Sequence, residues 1–432
     1  MNTPRGPVAA RSRALGPDLA RGVMLLCIAL ANSHYFLRGD SHLGGFPLDG
    51  ATPDRAVAWG IATFVDGRAF PMFGLLFGYG VALLVARNPN GGRTATRALL
   101  WRRAAVLVAV GVVDGFLFYA GDILAMYGVL LLLGSFAVFW RDRWLLVAAA
   151  ALLTLTALPD AGPFTSEGPD PVLLPAGPVP MLTDRAFAVV LVALAGPLGF
   201  AAPFLLGLWA GRRRLLEREG THRGLLVATA VLGPVAAVLG AQPLALAVAG
   251  VVPVPPAADQ AVLGALHATS GVAGGLGYAA LIALVAMRIE SRPRPGPVVT
   301  ALAATGQRSM TCYLAQSPVW AVVFTPFLLD LSGTLTVTTT ALLATGVWLA
   351  TVVLSELMRR SGYRGPFETL VRRATYGTAD GRTLAPGAGP PGEVGSGAGQ
   401  EQRGHDRHRR QPGHPAEGDL EGGLGPRGVG QQ

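Results

Sequence analysis

Asn32 and His34 stand two residues apart, as do Asp66 and Arg68, and both pairs fall where an apolar run meets a polar stretch. A histidine with a carboxylate nearby is the usual general base for activating a hydroxyl or an amine. An ionisable group at a membrane boundary is costly unless it pairs, faces water or takes part in chemistry. His34 and Asp66 are therefore catalytic candidates, and Asn32, Arg68, Asp114 and Asp122 are candidates for holding substrate. Each has a plainer reading. His34 does not share a helix face with Asn32 and fits among lipid headgroups. Asp66 with Arg68 fits an interfacial ion pair, Asp122 fits a helix-end cap, and His267, between Leu266 and Ala268, fits a packing histidine.

The elements that carry these residues are apolar helices. The stretch Phe64 to Gly80 reads FVDGRAFPMFGLLFGYG, and the run beyond Arg68 stays apolar to Ala86. At 1.5 Å per residue that is enough to cross a hydrocarbon core of about 30 Å. Gly74 and Gly78 lie four apart, so one helix face lacks side chains and a neighbouring backbone can come close.

Across all 432 residues 51% are hydrophobic and 14% charged, and the apolar residues come in long blocks. This predicts an all-α, polytopic integral membrane protein and excludes a soluble enzyme. Every basic residue is arginine, and a net charge of +9 fits the positive-inside rule, with no nucleic-acid partner implied. Cys27 and Cys312 lie inside apolar runs as packing residues, with no disulfide framework and no metal site.

Taken in order, the chain predicts a cytoplasmic segment over 1–18 and a transmembrane domain over 19–377 of about ten spans. A disordered Gly/Pro/Arg-rich tail over 378–432 follows, containing His405, His408 and His414. Ala29-Leu30-Ala31 resembles a signal-peptidase site, but the run continues and an uncleaved anchor is expected. Arginine-rich loops near Arg97, Arg141, Arg213, Arg292 and Arg360 fall on one side, which puts both termini in the cytoplasm. Asn32, His34, Asp66, Arg68, Asp122 and His267 then gather toward the outer face, joined by Asp114 about 15 Å up its helix. A water-filled outward cavity would account for them. The seventh span is expected to end before an apolar, proline-broken connection from Pro243 to Pro256, and Pro197, Pro203 and Pro318 are expected to break helices. Arg308, Cys312 and Gln316 follow four-residue spacing as one polar stripe, which fits a pore, a donor site or interhelical hydrogen bonds. Glu368 with Arg372 reads as a surface pair.

Five motifs run through this frame: Asp18-Leu19-Ala20-Arg21-Gly22 with Asn32; Asp66-Gly67-Arg68 with Leu76-Phe77-Gly78-Tyr79-Gly80; Gly121-Asp122-Ile123-Leu124 with Tyr127; Gly306-Gln307-Arg308-Ser309 through Gln316-Ser317; and Gly365-Pro366-Phe367-Glu368 with Arg372. In this order they resemble the YeiB-like family of bacterial membrane proteins, the DUF418 domain, from Asp18 to about Gly377. Cys312 departs from the asparagine usual there. The first helices are also similar to transmembrane acyltransferases such as heparan-alpha-glucosaminide N-acetyltransferase. That likeness implies transfer of an acyl group from cytoplasmic acyl-CoA to an acceptor on the far side, and it makes His42, ten residues after Asn32, a third catalytic candidate.

The expected function is thus acyl transfer from acyl-CoA, with no metal, to an exported glycan or small molecule by a multi-pass protein of the bacterial cytoplasmic membrane. No glycine-rich phosphate loop supports the donor site. The alternative is a small-solute transporter lined by Asp66, Arg68, Asp114 and Gln316, and the sequence leaves oligomeric state open.

Overall fold

Apolar runs with few internal polar residues fold as long helices, because a backbone away from water must satisfy its own hydrogen bonds. The computed structural model describes residues 14–88, 92–217, 222–292 and 295–376. All of them belong to the first of two units, 1–382 and 383–432. The expected tail over 378–432 and most of the expected segment over 1–18 lie outside the described residues.

The elements run α1 (Leu15–Ser33), a hairpin of β1 (His42–Leu43) and β2 (Phe46–Pro47), α2 (Thr52–Phe64), α3 (Ala69–Ala86), α4 (Gly92–Leu117), α5 (Leu124–Ala137), α6 (Asp142–Thr156) and α7 (Pro178–Arg212). They continue with α8 (Arg223–Val248), α9 (Ala257–Glu290), α10 (Pro297–Gln307), α11 (Ser309–Leu314), α12 (Ser317–Phe324), α13 (Val337–Arg360) and α14 (Pro366–Tyr376). Among the described residues six stretches are long and apolar enough to cross a membrane: Leu15–Phe36, Thr52–Ala86 and the helices α7, α8, α9 and α13. Helix α5 is apolar but shorter. We read the chain as a multi-pass membrane protein.

The main pairings join α8 to α9, α3 to α7, α4 to α5 and α1 to α10. The bare face of α3 is used as its glycines suggest. A side chain at Gly78 would strike the Phe204 carbonyl of α7, and one at Gly207 of α7 would strike the Leu75 carbonyl of α3. One apolar core surrounds Met24, Leu25, Ile28, Leu76 and Phe204. A second, at the His34 end of α1, gathers Phe36, Phe46, Trp320 and Phe324, with Phe36 stacked on Phe324 at 4.7 Å.

Several expectations are corrected. Helix α7 runs unbroken through Pro197 and Pro203, and α8 through Pro234 and Pro243, so the expected connection from Pro243 shortens to residues 249–256. Each proline removes one backbone donor, and a long apolar helix absorbs that loss. The run expected to kink at Pro318 is three helices, α10 to α12, and the breaks fall at Arg308 and Gln316. Pro318 opens α12, where its missing donor costs nothing. Arg308, Cys312 and Gln316 are therefore not a stripe on one continuous helix. Glu368 is no surface partner of Arg372: it accepts from the Met310 and Thr311 backbone N–H groups, both at 3.0 Å, and from the Thr311 hydroxyl.

Candidate functional site

Helix α1 ends in a single 3-10 turn, His34–Phe36, which swings the His34 ring into the bundle. The ring is fully buried and stacked on Phe46 with centroids 3.7 Å apart and planes 5° from parallel. Phe46 reaches it because Gly44 and Gly45 turn the hairpin with φ of 58° and 82°, the left-handed pair a two-residue loop needs. The Gly44 N–H donates to Thr165 at 2.8 Å and fixes the hairpin to the next long loop.

The other half of the site is the turn between α2 and α3. Gly67 holds φ of 73° there and lies against the His267 ring. This conformation directs Asp66 toward α1 and Arg68 inward. Asp66 Oδ2 lies 3.8 Å from His34 Nε2, with the Asp66 side chain 13% exposed and His34 at 0%. That separation is longer than a hydrogen bond. Among the described residues neither His34 nitrogen makes a hydrogen bond of normal geometry, although the backbones of Leu30 and Gly44 stand beside the ring. The Arg68 guanidinium is also buried; it donates to the Asp66 carbonyl and, at 2.6 Å, to the Ala237 carbonyl of α8. It lies 3.3 Å from Nε2 of His267 on α9. A guanidinium only donates, so His267 Nε2 accepts and the ring proton sits on Nδ1. That nitrogen and Arg68 Nε have no partner among the described residues.

The structure therefore brings together His34, Asp66, Arg68 and His267. Asn32, buried, lies on the last turn of α1 below them. His42 is engaged elsewhere: its Nε2 lies 3.1 Å from the Leu37 carbonyl, to which it donates, and its ring faces Gly168.

Asp114 and Asp122 form a separate buried group. Asp122 Oδ2 accepts from the backbone N–H groups of Leu124 at 2.8 Å and Ala125 at 3.2 Å, which caps the start of α5. Nearby, the Tyr313 hydroxyl accepts from Ile123 N–H at 3.2 Å. Among the described residues Asp122 Oδ1 and Asp114 Oδ2 are buried without partners. Arg185 of α7 is buried on the same side, donating to Val172 at 3.2 Å and Phe116 at 3.3 Å. The sequence reading missed it. An arginine just past a long acidic loop that has no other arginine was the available signal.

The remaining candidates lie apart. Gln316 Nε2 donates to the Leu25 carbonyl midway along α1 at 3.4 Å. Arg308 sits toward the opposite end of α1, where Gly306 packs on the Asp18 backbone. Asp18 and His34 are about 24 Å apart along the helix axis. Arg308 donates to the Tyr363 carbonyl through Nε at 3.1 Å and through its second terminal nitrogen at 2.6 Å, and to the Ala304 carbonyl at 3.1 Å.

Residues 210–378 match the family described as "Protein of unknown function (DUF418)". Uncharacterized protein YxaH of Bacillus subtilis (strain 168) is 25% identical over 400 residues, covering 83% of this chain and 93% of its own. Uncharacterized protein YeiB of Escherichia coli (strain K12) is 33% identical over 114 residues, covering 26% of this chain and 28% of its own. With the five motifs in order on a mostly helical fold, these matches make the chain similar to the YeiB-like DUF418 proteins, most directly over residues 210–378.

Proposed function

We propose that the protein spans the bacterial cytoplasmic membrane ten times with both termini inside, and transfers an acyl group from cytoplasmic acyl-CoA to an acceptor hydroxyl or amine at the outer end. The observation that carries this reading is the 3.8 Å approach of Asp66 to His34, with both imidazole nitrogens lacking a hydrogen bond of normal geometry among the described residues. Catalytic hydrogen bonds are often long before substrate arrives. An acceptor or one water between the two groups closes the gap.

His34 takes the acceptor proton as the acyl carbon–oxygen or carbon–nitrogen bond forms and the thioester carbon–sulfur bond breaks. The proton then passes to the departing thiolate. Asp66 holds the imidazolium while it exists. Arg68 and His267 keep the Asp66 turn fixed to α8 and α9. Phe46 covers the His34 ring, so the hairpin is the element that must move to admit the acceptor. His34 is preferred over His42, whose Nε2 is already committed to Leu37.

A second reading, transport of a small solute, is favoured by the interruption of α10 to α12 beside buried Gln316. The two separate in one experiment. Purified protein in liposomes is given labelled acetyl-CoA outside and mixed acceptors inside, beside His34→Ala and His42→Ala. Acyl transfer predicts label on the acceptor, lost in His34→Ala and kept in His42→Ala. Solute uptake with no covalent label supports transport instead.

A further inference from the structure

Helices α8 and α9 touch backbone to backbone and then part. A side chain at Gly233 would collide with the Ala273 carbonyl, and one at Gly277 with the Pro234 ring, so neither glycine leaves room for a Cβ between the helices there. From that crossing toward the N-terminus of α8 and the C-terminus of α9 the pair opens into a groove of about 230 Å³. Its walls are apolar: Val227 and Val231 of α8, Leu281 and Val285 of α9, each 43–56% exposed. Among the described residues the charged groups on its lining are Arg223 and Arg288, both exposed.

The dimensions match one membrane leaflet. Ten residues separate Gly233 from Arg223, about 15 Å of helix, which is half of a hydrocarbon core of about 30 Å. Two guanidiniums at the mouth, no carboxylate on the lining among the described residues and an apolar trough running to mid-membrane fit an amphiphile with an anionic head. We propose that the groove binds an anionic phospholipid of the inner leaflet, its phosphate held between Arg223 and Arg288 and one acyl chain lying along Val231 and Val285. The lipid would seal the α8–α9 crossing from outside. The site lies at the opposite end of α9 from His267 and does not depend on the acyl-transfer reading.

The test is native mass spectrometry of detergent-purified protein titrated with dioleoyl phosphatidylglycerol or the matching phosphatidylcholine. The wild type should retain phosphatidylglycerol preferentially. Arg223→Gln combined with Arg288→Gln should weaken retention by about 25-fold, about fivefold per arginine. Val231→Trp, which fills the trough and keeps both charges, should weaken it as well. Arg141→Gln with Arg143→Gln, an equal charge loss elsewhere, should leave it unchanged. Equal retention of the two lipids, loss in the Arg141/Arg143 control, or full retention in Val231→Trp would each overturn the proposal. Displacement of the lipid by a lower concentration of palmitoyl-CoA would also overturn it, by assigning the groove to an acyl donor.

Discussion

The two ends of α1 hold their charged groups in opposite ways. Near Asp18, the helix break at Arg308 is clasped to the segment before α14. Arg308 donates to two carbonyls, and Glu368 accepts from two backbone N–H groups and a hydroxyl. Near His34, both nitrogens of that ring, Nδ1 of His267 and Nε of Arg68 are buried without hydrogen bonds of normal geometry among the described residues. A charge whose hydrogen-bonding capacity is filled by backbone fixes a shape. Buried polar groups left short of partners lower stability and are retained where something else uses them. Burial alone does not separate these roles, since Arg68 and Arg308 are both buried. The bonding of their neighbours does.

Substitutions can break this contrast, and the largest effect belongs to the His34 end. His34→Ala should lower acyl transfer per folded molecule by about 10²–10⁴-fold, the usual worth of a general base, beyond any loss of stability from the stacking on Phe46 that it removes. A retained rate measured with labelled acetyl-CoA would remove His34 from the chemistry. At the opposite end, Arg308→Ala should cost about 2 kcal/mol by leaving the Tyr363 and Ala304 carbonyls short of a donor, read as a lowered unfolding midpoint in detergent. Gly78→Val should cost about 1–3 kcal/mol by forcing α3 from the Phe204 carbonyl, and should lower both stability and activity.

The smallest effect is a pH slope. Burial raises the Glu368 carboxyl above its ordinary value despite the hydrogen bonds from Thr311 and Met310 that favour its charged form. A carboxyl raised in the folded state contributes stability that is fully present below its unfolded value, about 4.3, and lost as pH rises through the folded value. Melting curves from about pH 4 to about pH 7 should therefore fall more for the wild type than for Glu368→Gln. Parallel curves would mean that Glu368 has no such linkage.

Local pattern made much of the fold legible. The Arg68–Ala86 run and the Gly74/Gly78 face depend on residues near one another in the chain, and α3 starts at Ala69 with α7 against those glycines. Prolines misled, because their cost depends on whether the missing donor falls inside a helix or on its first turn, as Pro203 and Pro318 illustrate. Glu368 misled as well: four-residue spacing offered Arg372, while the partners it has are more than fifty residues away. The proximity of His34, Asp66 and His267 arises from three helices and a hairpin, and no spacing in the sequence encodes it. Helix α14 went unread because its eleven residues are too polar and too short to register as a span.

The most direct test of the central claim is the ratio of acyl-transfer rates, per folded molecule, between His34→Ala and Arg308→Ala in liposomes. The account predicts that Arg308→Ala keeps a rate near that of the wild type once folded protein is counted, while His34→Ala falls by at least about 10²-fold. Equal rates in the two variants would contradict it.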